Sequence, residues 1–133
     1  MNTNEASVFT KIIRGEIPAE KIYEDELALA FLDINPTQPG HTLVVSKKQI
    51  EFVWDLDDDD YQALMSACRK VAKRIRSVLG VKFVGMKIIG EEVPHAHIHL
   101  IPFNSSEEYY ARRPASTEPD HKALAEMAKR LAF

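Results

Sequence analysis

The sequence predicts an α+β fold: a five-stranded antiparallel sheet with one long helix and shorter helices. Two observations predict it. Five short runs rich in β-branched and apolar residues are joined mostly by short connections. One stretch, residues 57–80, carries apolar residues at helical spacing. The 133 residues suit a single domain with one core, and no linker or internal repeat divides them.

The elements follow in order. VFTKIIRGE (8–16) spaces Val8, Phe9, Ile12 and Ile13 as a short amphipathic helix that ends near Gly15. Pro18 then forces an extended entry. KIYED (21–25) and LALAFLDI (27–34) read as two strands joined by a tight turn at Glu24 to Glu26. NPTQPG (35–40) is a loop, and HTLVVS (41–46) a third strand. QIEFVWDL (49–56) is a short helical turn or an irregular segment. In the long helix, Ala63, Leu64, Cys68, Val71, Ala72, Ile75 and Leu79 recur on one face. Acids crowd its start, bases fill its later turns, and Gly80 follows, an arrangement that complements the helix dipole. The Asp run at 57–60 therefore reads as capping and a solvated face rather than as a metal site. VKFVGMKIIG (81–90) is a strand with a glycine inside it. HAHIHLIPF (95–103) is the last strand, and Pro102 ends it or sits at an edge. Residues 104–120 are polar and irregular, with one helical turn at most. HKALAEMAKRLAF (121–133) is a helix by pattern.

Composition excludes several classes. Hydrophobic residues at 45% and charged residues at 28% fit a globular chain. A net charge of −3 offers no basic field for nucleic acid. No apolar run approaches the ~20 residues that span a bilayer, and MNTNEASVFT lacks the features of a signal peptide. Cys68 is the one cysteine, so no intrachain disulfide forms. The expectation is a cytoplasmic protein with neither nucleic acid nor membrane as partner.

The chemistry concentrates in HAHIHLIPF, which holds three of the five histidines. Alternate residues of a strand share a face, so His95, His97 and His99 point one way while Ala96, Ile98 and Leu100 face the core. The imidazole face must then be solvated or line a cleft. Three readings compete. A His-x-His pair, its members about 7 Å apart at their bases, can chelate one metal, but the outer pair is about 13 to 14 Å apart. A third ligand would come from elsewhere, such as His41 or a carboxylate. A neutral imidazole can instead act as nucleophile near pH 7, its far nitrogen held by a partner and its neighbours donating to anionic oxygens, a set suited to attack on phosphorus. Lastly, the histidines can be structural, solvated or bonded to nearby backbone.

HAHIHLI matches the pattern His-φ-His-φ-His-φ-φ, where φ is apolar. On that motif, and on FTKIIRGEIPAEKIYED and LAFLDINPTQPGHTLVVSKK in the same order and spacing, the chain resembles the histidine triad (HIT) family of nucleotide hydrolases and transferases. It is most similar to the Hint-like branch, which cleaves purine nucleoside phosphoramidates. The resemblance covers about residues 7 to 103 and leaves 104–133 as a C-terminal extension. It implies a dimer whose two sheets join into ten strands, a purine nucleotide ligand such as AMP or GMP, and no cofactor. His97 matches the family's nucleophile, which forms a nucleotidyl-imidazole intermediate. His95 and His99 match the flanking positions, and His41 a histidine that supports the triad. Asp33 matches the acid that accepts both ribose hydroxyls. Val8, Phe9, Ile12, Phe31 and Ile34 match positions lining the base pocket, where a plain core role is the competing reading.

The chain also departs from its relatives. Many carry Cys-x-x-Cys near the N-terminus and a His after Lys-Lys, which bind a structural zinc. Ser7, Thr10 and Gln49 stand there instead, so no metal is expected. Before the triad, IIGEEVP replaces a longer glycine-rich loop, and Glu91 and Glu92 stand where phosphate and leaving-group contacts would be. They face the leaving amine or simply solvent. Tyr109, Tyr110, Arg112 and Arg113 read as surface or subunit packing, against a rival reading in which they close over a phosphate or adenine. The resemblance thus leaves two outcomes: a hydrolase working through His97, or a nucleotide-binding or sensing module with little catalysis. A metal-dependent His-cluster enzyme is a further rival, opposed by the long helix.

Overall fold

The computed structural model describes residues 5–112 and 118–133, so Arg113 lies outside the described residues. The elements are α1 (Val8–Ile13), β1 (Lys21–Glu24), β2 (Ala28–Leu32), β3 (Thr42–Ser46), a 3-10 turn (Val53–Asp55), α2 (Asp58–Leu79), β4 (Phe83–Lys87), β5 (His97–Phe103), α3 (Ser106–Tyr110) and α4 (His121–Leu131). The five strands form one sheet in the order β1-β2-β3-β5-β4, each neighbour antiparallel. The α+β antiparallel fold read from the sequence is the fold found.

Local chemistry sets the element ends. Ser7 Oγ caps α1 by accepting from the Thr10 N–H at 3.0 Å. Asp25 closes the turn between β1 and β2, its carboxylate accepting from the N–H groups of Leu27 and Ala28, both at 2.8 Å. Asp57 caps α2 through the Asp60 N–H, and Gly80, in the left-handed region at φ 68°, ends it. The Asp run is thus the start of a helix, with the Lys48 ammonium 3.4 Å from Asp57 and 3.8 Å from Asp60. Gly85 lies within β4 because the Tyr109 ring of α3 covers it, leaving no room for a Cβ.

Period-two alternation sends the strand residues to two different layers. Ala28, Ala30, Leu32, Val44, Ile98 and Leu100 join Leu64, Ala67, Cys68, Val71 and Ile75 of α2 in the main core, with Leu124, Ala128 and Leu131 of α4. The opposite residues, Leu29, Phe31, Leu43 and Val45, pack against Phe9 and Ile12 of α1. His97 and His99 alternate with Ile98 and Leu100 and so belong to the α1 face.

β5 starts later than the alternation suggests. Its pairing with β3 begins at Val45↔His97, and His95 lies in a bend before the ladder. At its far end the strand runs on through Pro102, beyond Thr42↔Leu100, the last pair with β3; there only β4 accompanies it, as a proline requires. No helix among the described residues is long and apolar enough to cross a membrane.

Candidate active site

The three triad histidines and His41 are all buried, with His95 0% and His97 2% exposed. The face expected to be solvated or to line a cleft is covered at two of its rings by α1: the Phe9 ring meets His97 edge-on at 5.0 Å and His95 at 5.7 Å between centroids. Burial obliges each ring nitrogen to find a partner, and those partners reveal where each proton sits.

His95 Nε2 lies 2.6 Å from the Ser46 carbonyl, which can only accept, so Nε2 carries the proton. His95 Nδ1, left with the lone pair, takes the Ser7 hydroxyl proton at 2.7 Å. In His97 the pattern reverses. Its Nδ1 donates to the His95 backbone carbonyl at 2.7 Å, which leaves the lone pair on Nε2. His41 Nδ1 accepts the Thr37 N–H at 3.0 Å, so His41 Nε2 carries a proton and donates it to His99 Nδ1 at 3.0 Å. His99 must then carry its own proton on Nε2, and that buried atom has no partner among the described residues. A nucleophilic lone pair on His97 and an unanswered N–H donor on His99 therefore stand on rings 5.4 Å apart. That pairing suits attack on a centre whose oxygens gain negative charge.

The flanking rings are held neutral. Burial lowers the His41 pKa to about 4, helped by the Lys87 ammonium. Burial lowers His99 to about 3, with His41, His97 and Lys87 adding to it. Burial also lowers His95. The Asp33 carboxylate approaches His41 Nε2 at 3.5 Å and accepts the Asn35 N–H at 2.8 Å. With His41 neutral, that approach is a polar contact and not an ion pair.

Asp33, His41 and His99 place three possible ligand atoms within 4.8 Å of one another. The proton inventory opposes a metal there. With the Thr37 N–H on Nδ1, His41 Nε2 holds a proton and has no lone pair to give. Cys68 offers no alternative nucleophile, since burial pushes its thiol up to about 12.

The expected site residues divide by position. His41, His95, His97, His99, Asp33 and Phe9 gather in one place. Ile12 and Phe31 are buried in the cluster behind Phe9. Val8 and Ile34 are exposed, as are Glu91 and Glu92 in the turn before the triad. Sequence reasoning missed four partners. The Ser46 carbonyl and Thr37 N–H are backbone groups and leave no mark on residue type. Lys87 comes beside His99 only through strand register. Ser7, noted for the thiol it lacks, turns out to bond His95.

Comparison with known proteins supplies the context. A family model described as HIT domain matches residues 14–106. The chain is 45% identical over 102 residues to a HIT-like protein of Methanocaldococcus jannaschii, covering 71% of this chain and 77% of that one. It is 37% identical over 125 residues to the adenosine 5′-monophosphoramidase of Schizosaccharomyces pombe, covering 90% and 92%. The crystal structure of a Hit-like protein involved in cell-cycle regulation from Bartonella henselae superimposes with a TM-score of 0.84 at 30% identity, covering 98% and 96%. With the motif, the sheet and these likenesses in agreement, the chain belongs to the histidine triad family of nucleotide hydrolases.

Proposed function

We propose that this protein hydrolyses purine nucleoside phosphoramidates, or related nucleotide conjugates, through a nucleotidyl-histidine intermediate on His97. The observation that carries this reading is the His97 tautomer. Its Nδ1–H is tied to the His95 carbonyl, and its Nε2 lone pair stands beside the unpartnered His99 N–H. In the first step His97 Nε2 bonds to the α-phosphorus, and the P–N bond breaks as the leaving nitrogen takes up a proton from solvent water and departs as the amine. The imidazole becomes cationic, and the His95 carbonyl stabilises it through Nδ1–H. In the second step water displaces His97 and releases AMP or GMP.

The other residues have subordinate roles. His99 donates to a phosphate oxygen, and His41 holds the His99 ring in the donating tautomer. Asp33 accepts the ribose hydroxyls. Phe9, Ile12 and Phe31 form the floor of the base pocket, with Val8 and Ile34 at its exposed rim. Glu91 and Glu92 face the leaving group. The S. pombe relative, named as a phosphoramidase, favours the amine-bearing class of substrate. A homodimer in the cytoplasm completes the reading: β4 is an edge strand with exposed Phe83 and Met86, a surface suited to pairing with a second copy.

The burial of His97 beneath Phe9 also favours a second reading, in which the cleft binds nucleotide and turns over little. One assay separates the two: amine release from an adenosine phosphoramidate by wild type and His97→Ala, in chelator. Turnover by wild type that vanishes in the variant upholds the hydrolase. AMP binding without turnover in either upholds the binding module.

A further inference from the structure

His95 sits in a bend ahead of the sheet, so no strand ladder fixes it. Yet its backbone carbonyl holds the His97 Nδ1–H. The peptide that joins His95 to Ala96 is held on one side by the Ala96 N–H, which donates to the Ile50 carbonyl at 2.7 Å, and on the other by the His95 ring. Two side chains, Ser7 at 2.7 Å and Thr10 at 3.3 Å, reach the His95 ring, and a third, Gln49, holds both of those residues in place. Ser7 and Thr10 come from the start of α1, and Gln49 from the loop after β3.

Backbone groups decide every hydrogen bond in this cluster. The Glu5 carbonyl, 2.8 Å from Gln49 Nε2, needs a donor, while the Ser7 N–H, 2.8 Å from Gln49 Oε1, needs an acceptor. Together they allow one orientation of the Gln49 amide. Thr10 Oγ1, 2.6 Å from Gln49 Oε1, must then donate to it. Ser7 Oγ already accepts the Thr10 N–H at 3.0 Å. Its own proton goes to His95 Nδ1 at 2.7 Å rather than to the more distant Thr10 Oγ1 at 3.2 Å. The His95 Nε2–H completes the sequence on Ser46. No charged side chain takes part.

We infer that Ser7, Thr10 and Gln49 are positioning residues that fix the tautomer and seat of His95, and through its carbonyl hold His97 as the Nδ1–H tautomer with a nucleophilic Nε2. An imidazole in water prefers neither the place nor the proton arrangement that the reaction needs, so holding both in advance removes that reorganisation from the chemical step. The same cluster docks α1, whose Phe9 covers His97. The inference rests on His97 being the nucleophile for its kinetic consequence, but its structural content stands apart from that reading.

The test uses both. Nitrogen-15 NMR of the imidazoles in wild-type protein should show His95 protonated on Nε2 and His97 on Nδ1. Ser7→Ala should lose the single His97 tautomer and lower kcat for an adenosine phosphoramidate roughly ten- to a hundred-fold, with KM nearly unchanged. Ser7→Thr, which keeps the hydroxyl and the cap, should restore both. Thr10→Val should show the same change in weaker form if Ser7→Ala does not fold. A wild-type His97 protonated on Nε2 overturns the inference, as does a folded Ser7→Ala with His97 still on Nδ1 and kcat unaltered. Wild-type protein without turnover, but with the NMR pattern and its loss in Ser7→Ala intact, would defeat the hydrolase reading and leave the positioning cluster standing.

Discussion

Below α2 and α4 the sheet presents Ala30, Val44, Ile98 and Leu100 to Leu64, Val71 and Leu131, all within one apolar cluster. Below α1 the same strands present histidines, whose neighbours are a hydroxyl, two carbonyls and a backbone N–H. The first face is held by non-directional burial, worth about 1.5–3 kcal/mol for each large side chain. The second combines a smaller apolar cluster, Phe9 and Ile12 on Leu29, Phe31, Leu43 and Val45, with hydrogen bonds worth about 0.5–1.5 kcal/mol each, and each bond has a direction. Stability therefore resides mainly on one face, and proton placement on the other. A six-residue helix with one exposed, one half-buried and two buried apolar side chains suffices to cover the second face because hydrogen bonds as well as area hold it down.

Substitutions on the two faces should separate these roles. The largest effect is expected from His97→Asn, whose amide N–H can keep the bond to the His95 carbonyl: amine release falls about 10⁴-fold or more, while the urea midpoint moves little. Leu64→Ala does the opposite. It should cost about 2–5 kcal/mol in denaturant unfolding, with turnover per folded molecule unchanged. Coupled loss of both properties in either variant would break the comparison.

Acid provides a third probe. His41 and His99 have folded pKa values near 4 and 3, below the ordinary 6.5, so the unfolded chain binds protons that the folded chain refuses. Stability should fall as pH drops below about 6.5, and go on falling until the folded values are passed. Glu24, Asp25 and Asp57, lowered by their own partners, add a separate loss only in the carboxylate range. Unfolding midpoints of wild type and His41→Gln between pH 7 and 5 would isolate the imidazole part, and the variant should show a shallower slope. The smallest effect is Gly85→Ala, which must displace the Tyr109 ring and should cost about 1 kcal/mol with no change in kcat.

Much of this was legible in the sequence, to differing depth. Periodicity located all five strands and the long helix, because each alternation or helical stripe is a local signal. Boundaries moved where a non-local partner decided them: β5 begins at His97, the first of its residues to pair with β3. The alternation placed the histidines on one face correctly, but exposure depends on what covers that face. Phe9, far away in the chain, is invisible to a strand pattern. The His41–His99 contact joins residues 58 apart, and only the family resemblance suggested it. Ser7 and His95 are 88 apart, and there the resemblance pointed to an absent metal rather than to the polar bonds that occupy the place.

The imidazoles of the site answer to different parts of the chain: His95 to α1 and the end of β3, His97 to the bend before β5 through the His95 carbonyl, His99 through His41 to the loop at 36–41. Their ring protons consequently make local clocks. The His95 Nε2–H can exchange with solvent only when the region around α1 and Ser46 opens, and the His41 Nε2–H only when the 36–41 loop parts from β5. Two exchange rates measured in one molecule would therefore tell which segment lets a nucleotide in.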